Sequence, residues 1–114
     1  MPKLDQPIEH TFNALSDPTR RAVIQTLSNG PASVSQLAGS FSMALPSFTQ
    51  HLGVLENAGL IVSHREGRSR ICSLNPAALQ NAEDWLASSR RQWEARLDRF
   101  EAHLANMKEE KSNE

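Results

Sequence analysis

The sequence predicts a mainly α-helical fold with one small β-hairpin past its middle. Three observations carry this. Apolar residues recur at helical spacing through most of the 114 residues. Helix punctuation stands at the borders between segments: Asp17-Pro18, Gly30-Pro31, Gly59 and Asn75-Pro76. Only the stretch IVSHREGRSRICSL changes character, to strand-like residues on either side of a Gly-Arg tip.

Taken in order, residues 8–16 (IEHTFNALS) place Ile8, Phe12 and Leu15 at helical spacing. In DPTRRAVIQTLSNGP, Asp17 is the N-cap and Pro18 takes the first helical position, where a missing N–H costs nothing. Gly30-Pro31 stops that helix, and Ala22, Val23, Ile24 and Leu27 face inward. Ser33-Val34-Ser35-Gln36 reads as a capping box opening a short helix to about Ser40. The loop Phe41-Ser42-Met43 leads to a helix over about 44–58, ended by Gly59 as its C′ glycine. Three helices, the last two joined by so few residues, have the form of a helix-turn-helix.

Ile61-Val62 and Ile71-Cys72 with Leu74 form the strands, and Glu66-Gly67-Arg68-Ser69 is the tip. Arg65, Arg68 and Arg70 crowd that tip. Such charge suits a solvated loop, or a wing lying along a phosphate backbone; the attached helix-turn-helix favours the wing. Asn75-Pro76 opens a last helix running to about Met107, followed by a polar tail over 108–114 that is expected to fray. Its apolar positions are Leu79, Ala82, Leu86, Trp93, Leu97, Phe100, Leu104 and Met107, heptad-like from Trp93 onward. Such a helix would span roughly 45 Å at ~1.5 Å per residue, which overhangs a core made from the preceding residues. A second subunit covering the seam is the simplest resolution; a helix folded back on its own domain is the other.

Charge is arranged acid–base–acid. Arg20, Arg21, Arg65, Arg68 and Arg70 against Glu56 and Glu66 give residues 18–75 a net +3, inside a chain of net −1. A polyanion partner suits that block. The start, MPKLDQPIEH, has no apolar h-region, and no apolar run approaches the ~20 residues of a membrane span. No membrane partner is expected. A lone Cys72 excludes an intramolecular disulfide and a Cys-rich zinc site, and a reducing cytoplasm fits.

The segment MALPSFTQHLGVLENAGL carries the functional argument. At ~100° per residue, Leu45, Phe48, Leu52 and Leu55 define its buried face. Pro46, Gln50, Gly53 and Asn57 collect opposite, with Thr49 on the border. That outer face is polar, short and uncharged. Solubility alone would favour Lys and Glu, which are better helix formers. Short polar groups with a glycine suit a surface that a large object must approach closely. Duplex DNA is the natural candidate, because a helix fits the major groove and Gln and Thr can hydrogen-bond base edges. Pro46 is tolerated in the first turn.

His51 lies at the edge of the buried face. His10, His64 and His103 sit in separate elements, and none has a second His or Cys at ligating spacing. Neither an oriented nucleophile nor paired carboxylates surround His51. Packing is the reading, with one ring nitrogen hydrogen-bonded, a phosphate being one candidate partner. No catalytic residue, metal site or cofactor is expected, and the chain is not read as an enzyme.

These residues resemble the ArsR-type winged-helix repressors of bacteria. The matching stretches are Ala14-Leu15-Ser16-Asp17-Pro18-Thr19-Arg20-Arg21, then Ser33 to Ala38, Thr49-Gln50-His51-Leu52, Val54-Leu55-Glu56, Ala58-Gly59-Leu60 and Arg65-Glu66-Gly67-Arg68. Met43-Ala44-Leu45-Pro46, Trp85-Leu86, Trp93-Glu94 and Arg96-Leu97-Asp98-Arg99 look like a branch without the usual metal sites. The resemblance implies a winged helix-turn-helix in the order α-α-α-α-β-β-α, dimeric. It would be one domain over 1–114, with a DNA-binding core at 8–75, a wing at 61–75 and a dimerisation helix at 76–107. By position, Leu45, Pro46, Ser47, Thr49, Gln50 and His51 would face bases or nearby phosphates. Ser33, Ser35 and Gln36 would lie near the DNA backbone, and Arg65, Arg68 and Arg70 would serve the wing. Ile8, Phe12, Leu86, Trp93, Leu97, Phe100 and Leu104 would form the dimer interface.

Departures from the family bear on sensing. Where the thiolate metal site would lie, the third helix reads SVSQLAGSF, and the last helix offers Asp84 and only His103, at the wrong spacing. Sulfur sensing needs two cysteines; Cys72 alone is read as a half-buried hydrophobe. Gly53 stands where the family often carries a basic residue and costs ~1 kcal/mol of helix propensity. The expectation is a metal-independent homodimeric repressor on an imperfect palindrome with half-sites about one turn apart. The sequence names no effector. The alternative is a winged-helix module whose polar face docks a protein.

Overall fold

The computed structural model describes residues 8–112. The first seven residues of the stretch read for an h-region and the last two residues of the polar tail lie outside the described residues. The chain divides into two compact units, residues 1–82 and residues 83–114.

In the first unit the elements run α1 (Ile8–Leu15), α2 (Pro18–Leu27), β1 (Ala32–Ser33), α3 (Val34–Ala38), α4 (Leu45–Asn57), β2 (Ile61–Glu66) and β3 (Ser69–Leu74), then the opening turns of α5 (Pro76–Ser112). β1 is an addition to the expected order. Ala32 pairs with Cys72 and Ser33 with Ile71, so the described sheet has three antiparallel strands, β1-β3-β2. Two residues are too few to show strand alternation. Their backbone covers one edge of β3, which a bare hairpin would leave open.

The caps hold as read. Asp17 Oδ2 accepts the Arg20 amide at 3.1 Å with Pro18 in the first turn. Ser33 Oγ accepts the Gln36 amide at 3.1 Å while Gln36 Oε1 accepts the Ser33 amide at 2.9 Å; such caps stabilise by ~1 kcal/mol each. Gly59 has φ 76, and the Leu60 amide donates to the Leu55 carbonyl at 3.0 Å and that of Gly59 to Glu56 at 2.9 Å. This is a Schellman closure, which needs the left-handed conformation that glycine adopts freely. Asn75 then fastens the start of α5, donating from Nδ2 to the Gly59 carbonyl and from its amide to the Leu60 carbonyl, each at 2.9 Å. At the hairpin tip Gly67 has φ 63 and Arg68 does not have positive φ. That is the type II′ pattern, whose twist suits a two-residue hairpin.

Val23, Leu27, Leu37, Phe48, Leu55, Leu60, Ile61 and Cys72 form the heart of the core. Phe48 is fully buried with the Phe41 ring 5.1 Å away; burying such a side chain contributes about 1.5–3 kcal/mol. In α1 the buried residues are Thr11 and Ala14, while Phe12 is exposed, Ile8 is half-buried and Leu15 is half-buried against the core. Three expectations are corrected. Leu45 is 57% exposed, because it sits in the first turn, beyond the reach of the core that holds Phe48 and Leu52. Cys72 is fully rather than half buried, since β3 is the central strand and lies against α2 and α3. α3 stops at Ala38 with Gly39 as its C-cap, two residues short of Ser40.

In the second unit α5 continues as helix to Ser112, past the expected end near Met107. Trp85, Leu86, Trp93, Leu97, Phe100, Leu104 and Met107 are between 39% and 62% exposed. None of the described helices is long and apolar enough to cross a membrane.

Candidate nucleic-acid interface

α4 is anchored from below and bare above. Phe48, Leu52 and Leu55 hold it to the core, while Leu45, Pro46, Ser47, Thr49 and Gln50 are all exposed. Ala44 caps the helix without a side-chain hydrogen bond, so the first-turn amides have no side-chain acceptor there. The exposed side chains therefore gather on the N-terminal half, and none is charged.

Gly53 belongs to the same surface. A Cβ built there would meet nothing within 4 Å, and its φ is not in the left-handed region. Neither packing within the chain nor backbone conformation calls for glycine here. Beside it lies a cleft of about 270 Å³ bounded by Thr49, Glu56, Asn57 and Arg70 among others.

His51 faces the other way, toward the corner between α1 and α2. Its Nδ1 lies 3.1 Å from Arg20 Nη1 and 3.8 Å from Asp17 Oδ2. Arginine only donates, so Nδ1 is the acceptor and the ring proton sits on Nε2. The same guanidinium donates to the carbonyls of Ala14 at 2.7 Å and Asn13 at 3.2 Å, and Arg21 donates to that of Leu15 at 2.9 Å. Both arginines thus close the C-terminal carbonyls of α1. His51 packs with one ring nitrogen hydrogen-bonded to Arg20, which turns it away from the face on which the resemblance places it among the DNA-facing residues. At Asp17, burial alone would raise the carboxyl, but the Arg20 amide, the His51 ring once it is protonated, the Thr19 amide and the Arg20 charge together hold it below its ordinary value.

In α3, Ser33 and Gln36 spend their side chains on the capping box, while Ser35 and Gln36 are exposed. The wing is graded along one face. Ile61 opposes Leu74, Ser63 opposes Cys72 and Arg65 opposes Arg70, so this face passes from apolar at its base to cationic near the tip. Arg70 donates from Nη2 to Glu56 Oε1 at 2.6 Å and from Nε to Ser63 Oγ at 2.9 Å, and Ser63 Oγ donates to Glu56 Oε1 at 3.2 Å. Among the described residues, Arg65 and Arg68 carry no such partner. On the opposite face His64 lies 3.3 Å from Glu66. Burial raises the Cys72 thiol, and the Glu56 carboxylate adds to the rise.

The central basic block is therefore less available than its +3 suggests. Arg20 and Arg21 serve α1 and Arg70 serves Glu56, which leaves Arg65 and Arg68. Sequence reasoning missed these commitments because the partners lie 14 or 31 residues apart in the case of Glu56–Arg70 and Arg20–His51. No group of three or more His, Cys, Asp or Glu among the described residues could hold a metal ion.

Comparison with known proteins places this geometry. A helix-turn-helix domain family matches residues 15–64. The transcriptional repressor SdpR of Bacillus subtilis (strain 168) is 35% identical over 79 residues, which cover 69% of this chain and 88% of SdpR. The HTH-type transcriptional regulator Rv2034 of Mycobacterium tuberculosis is 37% identical over 71 residues, 62% of this chain and 66% of that protein. The crystal structure of the ArsR family transcriptional regulator RHA00566 matches with a TM-score of 0.74 and 48% identity, over 76% of this chain and 96% of that one. The homodimeric winged helix-turn-helix DNA-binding domain Mb0332 from Mycobacterium bovis shares the fold, with a TM-score of 0.60 at 19% identity over 76% of this chain and 82% of that one. An uncharged, exposed helix face on a helix-turn-helix with a cationic wing is thus joined to clear sequence kinship, and the chain belongs to the ArsR family of winged helix-turn-helix transcriptional regulators.

Proposed function

We propose that this regulator is a cytoplasmic, homodimeric repressor that reads an imperfect DNA palindrome. α4 enters the major groove and the wing lies by the adjacent minor groove. One observation carries the reading: Pro46, Ser47, Thr49 and Gln50 form an exposed, uncharged surface on a helix whose other side is fixed in the core. Thr49 and Gln50 supply hydrogen-bonding groups for base edges, with Leu45 and Pro46 as apolar neighbours. Arg65 and Arg68 supply phosphate contacts, and the exposed Ser35 lies where α3 would meet the backbone.

The homodimer is supported by the exposed apolar side chains of α5. Trp93, Leu97, Phe100 and Leu104 are side chains that a second α5 would cover, and large exposed apolar surface marks interaction sites. Ile8 and Phe12 of α1 are assigned to the same interface by the family resemblance. Metal is not proposed as the signal, since the α3 segment VSQLA offers no thiolate.

A gel-shift titration against the DNA upstream of the protein's own gene, at two salt concentrations, tests the reading. Saturable binding that survives unrelated competitor DNA and weakens with salt supports it. Binding to no duplex, with retention of a protein ligand, would leave the protein-docking alternative.

A further inference from the structure

The closed triangle of Glu56, Ser63 and Arg70 ties three elements. Glu56 lies in the last turns of α4, Ser63 on β2 and Arg70 on β3. Every bond in it is between side chains: 2.6 Å from Arg70 to Glu56, 2.9 Å from Arg70 to Ser63 and 3.2 Å from Ser63 to Glu56. Ser63 accepts from the cation and donates to the anion, so its hydroxyl fits only while both are in place. Glu56 is also the less exposed partner, at 28% against 50% for Arg70.

The register gives the triangle a purpose. Arg65 stands directly opposite Arg70 on the same face of the ribbon, and like charges so placed repel. Glu56 neutralises one of the two and pulls the Arg70 side chain back toward the helix. Charge-assisted bonds to a carboxylate are the strong ones. Two of the five N–H groups of this guanidinium are spent on Ser63 and Glu56, and the Glu56 carboxylate beside it repels an approaching DNA phosphate.

We infer that Glu56 is a specificity-determining positioning residue: through Arg70 it sets the wing against the recognition helix and withholds that cation from DNA. Arg70 then fixes where Arg65 and Arg68 meet the backbone while making no phosphate contact itself. Glu56 limits sequence-independent affinity, which raises the ratio of specific to non-specific binding. The inference rests on the DNA-binding reading given above.

The test uses the full chain and two probes: a duplex selected by the wild-type protein from a random-sequence pool, and an unrelated duplex of equal length. Log affinity against log salt changes by about 0.9 per phosphate contact, so roughly twice that for a two-winged dimer. Arg70→Gln should lose affinity for the selected duplex several-fold with the salt slope unchanged. Arg68→Ala, for comparison, should flatten the slope on both probes. Glu56→Gln should steepen the slope on the unrelated duplex and bind it several-fold more tightly, lowering the specificity ratio. Arg70→Gln flattening the slope as much as Arg68→Ala would overturn the inference, as would Glu56→Gln leaving slope and ratio unchanged. A thermal double-mutant cycle keeps the clasp testable apart from DNA. The double variant should melt close to the lower single variant, whereas additive losses would show that the two side chains do not act together. If the selection yields no bound duplex, DNA binding fails, and the cycle still decides the clasp.

Discussion

Arg20 and His51 meet across the corner between α1 and α2, with Arg20 Nη1 3.1 Å from His51 Nδ1. That contact orients α4, because His51 sits on the recognition helix one residue after Gln50. Arg20 simultaneously binds the carbonyls of Asn13 and Ala14, so one side chain joins three helices. Arg20→Ala should lower unfolding free energy by about 1–3 kcal/mol, through several lost hydrogen bonds and two carbonyls left short of a donor. Urea unfolding measures it. A loss well below ~0.5 kcal/mol would show that water replaces the guanidinium at no cost.

The same corner predicts a pH dependence. Asp17 titrates below its ordinary value of 3.8 in the folded chain. A carboxyl lowered by folding contributes stability above its unfolded value and loses it as pH falls through its folded value. Asp17→Asn, which keeps a good capping oxygen, should lose less stability than the wild type as pH is taken from about 5 to below 3. Denaturant midpoints at each pH give the comparison; parallel losses would contradict it.

Gly53 separates folding from function. Gly53→Ala should stabilise α4 by roughly 0.5–1 kcal/mol, since the added methyl meets no atom of the chain. The same methyl should reduce affinity for a selected duplex if the bare backbone is there for close approach. Thermal melting and a binding isotherm on one sample check both. A variant that is more stable and also binds more tightly would remove the reason for the glycine.

The α5 surface predicts self-association. Trp93→Glu puts a charge amid Leu97 and Phe100 on the neighbouring turns, where a partner helix would have to bury it. Sedimentation should then show the monomer at concentrations where the wild type is dimeric. An unchanged dimer would move the interface elsewhere.

Zinc, nickel or copper at micromolar concentration should leave the protein–DNA complex intact in a gel shift. Release by any of them would identify ligands that the family's usual sites do not provide here.

Much of the fold is legible because its information is local. The Ser33–Gln36 box, the Asp17-Pro18 start, the Gly59 closure and the Gly67-Arg68 turn each depend on residues within a few positions of one another. The candidate interface is legible for the same reason, as Pro46, Ser47, Thr49 and Gln50 share one helix. What the sequence hides is set at a distance. β1 exists only through pairing with Ile71 and Cys72 some forty residues on. Leu45 follows the helical period of Phe48 and Leu52, yet no neighbour reaches the first turn to bury it. Arg70 looks like its wing companions, but β-register brings it beneath Glu56, and the pairing changes its part.

The most direct measurement sets Gln50→Ala against Arg68→Ala on a selected duplex, the same duplex with single base changes, and an unrelated duplex, across a salt series. Gln50→Ala should relax base preference at one position of each half-site, at a cost of about 1–3 kcal/mol for the preferred base, with the salt slope preserved. Arg68→Ala should weaken binding to all the duplexes alike and flatten the slope. If Gln50→Ala left every base preference intact, α4 would not be the reading helix. An unchanged slope for Arg68→Ala would mean that the wing does not touch the phosphates.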